Sequence, residues 1–204
     1  ACFVAPEEAA APVRPGPERV TDFEGCMACG QPLEYTETSR EMECVYCRRR
    51  LPTSTMCAAG HFVCDACHGR DAVQAIESIC LAAPETDLVE LFLRVREHPA
   101  IPIHGPEYHA LVPAVIVAAA RAAGLELDDE YLRTAIQRGR TIAGGACGFM
   151  GACGAALGVG TAFGVILGSN PYRAETRRLL HDVTIGAMAR IGEVEAARCC
   201  QRDA

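Results

Sequence analysis

Eight residues between positions 26 and 67 have the types and spacing of metal ligands: Cys26, Cys29, Cys44, Cys47, Cys57, His61, Cys64 and Cys67. The first four form two C-x-x-C pairs. Each such pair lets two thiolates grip one ion while the intervening N–H groups turn towards the sulfurs, and two pairs complete a tetrahedral site. Leu33-Glu34-Tyr35-Thr36 and Met42-Glu43 alternate between the pairs as a small β-hairpin would. This is zinc-ribbon spacing. The second block, Cys57 to Cys67, reads C-x3-H-x2-C-x2-C, like the middle of a RING finger. Two pairings are open. In an interleaved one, Cys57 and His61 join one earlier pair while Cys64 and Cys67 join the other; in a sequential one, each block closes its own site. Either way the ligands serve two zinc ions with no position left for catalysis, so zinc is expected to fold the segment. Cys64-Asp65-Ala66-Cys67-His68 also matches a haem-attachment motif, but it lies inside a zinc-spaced run.

Five further cysteines follow: Cys80, Cys147, Cys153, Cys199 and Cys200. Cys80 shares a helical face with Val73, Ile76 and Ile79 and is expected in the core. Cys147 and Cys153 lie in a glycine-dense loop, Gly144 to Gly154, that should feed a helix. Gly160, Gly164 and Gly168 continue it at spacing four, a face that admits another backbone closely. Thiols near a helix N-terminus meet exposed N–H groups that favour the thiolate, the form needed for metal ligation or redox exchange. Cys199-Cys200 is a vicinal pair flanked by Arg198 and Arg202. If the last helix folds back over the loop, these four cysteines meet. An iron–sulfur cluster with thiolate ligands is then open, as is a dithiol/disulfide centre; the alternative is small residues in a tight helix crossing. His104 and His109 flank the start of a helix beside Glu107, as additional ligands, proton carriers or mere polar surface.

At these residues the chain resembles domain-of-unknown-function family 5714, found largely in anaerobic archaea and bacteria. The resemblance runs from about 24 to 203. It is carried by C-x-x-C-G at Cys26, MECVYC at Met42 to Cys47, GHFVCDACH at Gly60 to His68, HGPEYH at His104 to His109, CGFMGACGA at Cys147 to Ala155 and RCCQRD at Arg198 to Asp203. More distantly, CGAALG with a later cysteine pair resembles a redox family with a C-GCAxxG-C-C pattern. Both resemblances imply metal or sulfur redox chemistry. The first also implies a protein partner, a methyltransferase or redox protein, although this chain has no glycine-rich strand–helix motif for a methyltransferase cofactor.

The whole chain limits these readings. It has 204 residues, net charge -7 and no lysine, all 19 basic residues being arginine. That excludes Schiff-base and P-loop lysines. Acidity argues against nucleic acid, with Arg48-Arg49-Arg50 the one feature in favour. Thirteen cysteines, an odd count with repeated C-x-x-C pairs, favour metal in a reducing compartment, and no signal-peptide pattern stands near the start, so a cytoplasmic location is expected. No charged side chain occurs from Thr141 to Tyr172. The run is long enough for a membrane, but its glycine and alanine content suits a buried helix better.

The elements needed to position these groups can be read in outline. Residues 1–22, rich in Ala, Pro and Glu, read as a disordered tail or linker. Residues 23–70 form the two-zinc module and 71–204 a helical domain of five or six helices, giving a mainly α fold with a small zinc-ribbon/RING-like hairpin. Asp71 is expected to cap one helix, Asp87 with Glu90 another, residues 106–123 to form a mostly buried helix, Asp128 or Asp129 to open one through about Ile142, and Asn170-Pro171 to open the last through about Ile191. The functional expectation is a zinc-binding protein with a cysteine-based metal or redox site among its helices. The alternative is a non-enzymatic interaction module, which would bury Cys147 and Cys153 as inert core.

Overall fold

Residues 107–122 are apolar on nearly every side of the helix they form, and a helix without a polar face has to be surrounded. The computed structural model describes residues 25–204 apart from 27, 30, 46, 47, 69, 99 and 196–199, and not the side chains of 66, 67, 70 and 201. The expected tail, Cys47, Cys199 and the Cys67 side chain therefore lie outside the described residues.

The surrounded helix is α4 (Glu107–Ala122), with twelve of its sixteen residues buried. Against it pack α2 (Arg70–Leu81), α3 (Leu88–Arg96), α5 (Asp129–Gly139) and α7 (Gly154–Ile166), while α8 (Ala174–Gly192) lies beyond α7. Three single turns, α1 (Asp65–His68), α6 (Ala146–Phe149) and α9 (Cys200–Asp203), complete the helices of the described residues. Six are nine residues or longer, in agreement with the mainly helical expectation. Ile76 and Cys80 of α2, Leu91 and Val95 of α3, Leu111 and Val115 of α4 and Leu132 of α5 are all but fully buried in one cluster. Each large aliphatic side chain there contributes about 1.5–3 kcal/mol. Pro113 sits inside α4 and lacks the N–H that would bond the His109 carbonyl. Gly139 of α5 packs against that carbonyl, where a Cβ would overlap it.

Helix ends follow the local chemistry with four departures. Asp87 accepts from the N–H groups of Val89 and Glu90, and Asp128 from those of Glu130 and Tyr131, as caps should. Arg121 reaches the last carbonyls of α2, those of Cys80 and Leu81 at 2.9 and 2.8 Å. Asp71 does not cap α2 but lies inside its first turn, since the helix begins at Arg70. Helix α5 ends at Gly139, not Ile142, and Thr141 Oγ1 donates back to the Arg138 carbonyl. Helix α8 starts at Ala174 because Asn170 Oδ1 holds the Tyr172 N–H in a turn that excludes Pro171 from the first helical position. Gly168, at φ +56, leaves the glycine face of α7 and ends the helix, with Ser169 N–H bonded to the Gly164 carbonyl. The uncharged run from 141 to 172 is thus broken into α6, turns and a 13-residue α7. Among the described residues no helix is long and apolar enough to cross a membrane.

Ahead of the helices, β1 (Leu33–Glu43) pairs antiparallel with β2 (Arg50–Cys57). The register runs Leu33↔Cys57 to Tyr35↔Thr55, then resumes at Arg40↔Thr53 after an irregularity and ends at Glu43↔Arg50. The hairpin so places Cys44 at its turn and Cys57 at its far end.

Candidate functional site

Two short turns build the first ligand cluster. Before β1, Cys29 N–H bonds the Cys26 carbonyl, and Ala28 N–H donates to Cys26 Sγ at 3.4 Å. After β2, Gly60 at φ +80 folds the chain so that His61 N–H donates to Cys57 Sγ at 3.2 Å. The ligand atoms of Cys26, Cys29, Cys57 and His61 all lie within 4.8 Å of one another, a group that could hold a metal ion. The Cys29 and Cys57 sulfurs are 3.8 Å apart, and His61 Nδ1 is 3.2 Å from Cys29 Sγ. A tetrahedral ion with metal–sulfur bonds of about 2.3 Å has sulfur–sulfur edges of about 3.8 Å, so the donor set fits such an ion.

The thiols divide in their acidity. At Cys57 burial works against the thiolate, but the His61 and Ala59 N–H groups and the neighbouring Cys26 and Cys29 thiols outweigh it and bring it down to about 7. At Cys29 the Gln31 backbone favours the thiolate, yet desolvation and the Cys57 and Cys26 thiols hold the group above its ordinary value. One charged and one protonated sulfur side by side is the state expected of neighbouring thiols, and a divalent cation between them would release the proton.

This cluster draws its residues from the first and third sequence pairs, as the interleaved arrangement would have it. Cys44 and Cys64, from the second and fourth pairs, meet in the same sense: both are buried, and Cys64 N–H donates to Cys44 Sγ at 3.4 Å. None of nine described cysteines, Cys26, Cys29, Cys44, Cys57, Cys64, Cys80, Cys147, Cys153 and Cys200, is in a disulfide.

Helix α1 then joins the module to the helices. Asp65 Oδ2 accepts from Gly144 N–H at 2.9 Å, and His68 Nδ1 is 2.5 Å from Glu107 Oε1. Between module and helices lies a cleft of about 1110 Å³ whose walls include Cys26, His61, Cys64, His104, His109, Cys147 and Cys200. His109 is 7% exposed, and its Nδ1–H donates to the Ile142 carbonyl at 3.0 Å. A carbonyl can only accept, so neutral His109 keeps its lone pair on Nε2. That edge of the ring rests on Gly154, where a Cβ would overlap it. Cys153 is the N-cap residue of α7, and it is half-buried like Cys147 and Cys200. Among the described residues, Cys26, Cys29, Cys57 and His61 are the one group of three or more ligands within 4.8 Å; Cys147, Cys153 and Cys200 are not gathered that closely.

The sequence reading passed over His68, Glu107 and Asp65 as site residues. Glu107 is 2% exposed with Oε2 held against Gly105, so a buried carboxylate supports His68. The signals were faint: a histidine directly after Cys67, and a glutamate between the two histidines of HGPEYH.

No curated protein and no solved structure matches the chain. One family does, described as "Family of unknown function (DUF5714)", over residues 76–204. The match starts within α2, covers the later helices with His104, His109 and all the C-terminal cysteines, and leaves the Cys/His module outside it. It extends over more than half of the chain, which belongs to the DUF5714 family.

Proposed function

We propose that this is a two-zinc protein with a cysteine-based metal or redox site in the cleft between its module and its helices. One zinc ion takes Cys26, Cys29, Cys57 and His61. The other takes Cys44, Cys47, Cys64 and Cys67, a set supported by the approach of Cys64 to Cys44. Soft thiolates in tetrahedral array favour zinc over harder cations. Both centres use their full ligand sets, so they shape the cleft wall and leave reaction to other groups.

The reactive groups of this reading are Cys147, Cys153, Cys199 and Cys200, with His104 and His109 beside them. The observation that carries it is that Cys147, Cys200, His104 and His109 line one cleft. Cys147 and Cys153 are half-buried, unlike the core thiol of Cys80, which weighs against the pure interaction module. Phe149 and Met150, 56% and 74% exposed next to Cys147, supply an apolar rim for a protein partner such as a redox protein or methyltransferase. A reducing, cytoplasmic setting suits so many free thiols.

Metal and acid-labile sulfide analysis with an absorption spectrum, on protein purified without oxygen, tests this reading. About two zinc ions with iron and sulfide identify a cluster, whereas about two zinc ions alone remove the cluster and leave a dithiol centre or an interaction module, which titration of the reactive thiols separates. Cys153→Ser should remove the chromophore or the reactive thiol and leave zinc in place. Loss of both together would sink the two-site reading.

A further inference from the structure

Within that reading, we infer that Cys147 and Cys153 form a dithiol–disulfide exchange centre, with His109 as its proton acceptor and a low-molecular-weight disulfide as its substrate. The chain between the two thiols is already folded back on itself. Ala152 N–H bonds the Ala146 carbonyl at 3.3 Å, so Cys147 and Cys153 follow the two ends of a closed ring. Gly151 at φ +67 makes the return, and Gly148 has open space where a Cβ would stand.

At Cys153 two independent features converge. It is the N-cap of a 13-residue helix, with no side-chain hydrogen bond to the helix N–H groups, which face negative charge favourably. The next residue, Gly154, carries the His109 ring on its surface. That imidazole is more than nine-tenths buried, anchored through Nδ1, and has no partner for Nε2 among the described residues. Glycine at 154 thus admits a proton acceptor at the end of α7. His109 and Cys147 also line the cleft, whose volume of about 1110 Å³ exceeds what a small disulfide needs.

The exchange balances without any further reactant. Cys147 gives up its proton to water and its thiolate attacks one substrate sulfur; the substrate S–S bond breaks, and the departing thiolate takes that proton back from water. Cys153 passes its proton to His109 Nε2 and attacks the Cys147 sulfur. The Cys147–Cys153 bond forms, the second substrate half leaves as thiolate, and it takes the proton held by His109. Two electrons pass from the protein thiols to the substrate disulfide. The sulfurs and the ring are not gathered within 4.8 Å as a set, so Cys147 must turn inward on its glycine-flanked ring for the second step.

The full zinc-loaded chain, exposed to oxidised glutathione and mapped by mass spectrometry, decides the matter. A Cys147–Cys153 disulfide should appear with release of two glutathione thiols. Cys153→Ser should stall with glutathione on Cys147, and His109→Gln should slow closure of the ring by about 100-fold or more. Separate glutathione adducts on both cysteines of the wild-type protein would overturn the inference. Iron and sulfide bound to these thiols, with no disulfide, would overturn it and keep the wider reading; two inert thiols without metal would remove both.

Discussion

Cys80 and Cys147 are the same side chain in opposite surroundings. Cys80 is fully enclosed between α2, α3 and α4, and burial pushes its thiol up to about 12 from an ordinary 9.0, with Arg94 and Arg121 offsetting only part. Between those values the unfolded chain loses the thiol proton while the folded chain keeps it. Stability therefore falls as pH rises from 9 towards 12, by on the order of 1.4 kcal/mol per unit for this group. Urea unfolding at pH 8 and 10 should show the wild type losing about 1 kcal/mol more than Cys80→Ala over that interval. An equal loss would mean that the thiol is not held in the core. At this scale the sequence was readable where neighbours in the chain are neighbours in space. Cys80 on its apolar face and the Asp87 cap are of that kind. The His68–Glu107 contact joins residues 39 apart, and no local pattern signals it.

Helices here are spaced by glycine, and the glycines are not equivalent. A methyl at 139 would overlap the His109 carbonyl and the Ala110 Cα, backbone that moves only if α4 and α5 part. A methyl at 160 would meet Thr184 Oγ1, the end of a side chain that can rotate. Gly139→Ala should therefore cost about 3 kcal/mol. Gly160→Ala should cost less than about 1 kcal/mol, because alanine recovers helix propensity. Thermal unfolding of the two variants gives the order, and a reversed order would contradict the crossings. The spacing of Gly160 and Gly164 announces their face in the sequence. Gly139 reads there as an ordinary residue near a helix end, because the Pro113-freed carbonyl it meets belongs to a helix far away in the chain.

For the molecule as a whole, the two halves are held by different forces. Among the described residues, the buried apolar-type side chains of the module are Cys26, Cys44, Cys57, Cys64 and Met56, so almost nothing but cysteine is seen inside it. The helices have a continuous aliphatic cluster. Complete metal removal by a chelator should expose residues 25–64 to protease and leave a helical fragment from about 70 onward resistant. A hairpin that stays resistant after proven metal loss would disprove metal-dependent folding. Cysteine spacing made the Cys/His-rich hairpin segment legible from sequence, whereas the meeting of Cys26 and Cys29 with Cys57 and His61 was set by hairpin register, which spacing does not encode.

Helix α8 has no buried residue along its 19 positions and leans on α7 through Leu180 and Thr184 above Gly164 and Gly160. With no fully buried side chain holding that contact, α8 is expected to open at lower free energy than the enclosed α4. Exchange of its amides with solvent would then follow its own excursions and not global unfolding. The walls that carry His109 and Cys147 belong to α4 and the turn before α7, and those excursions leave them undisturbed.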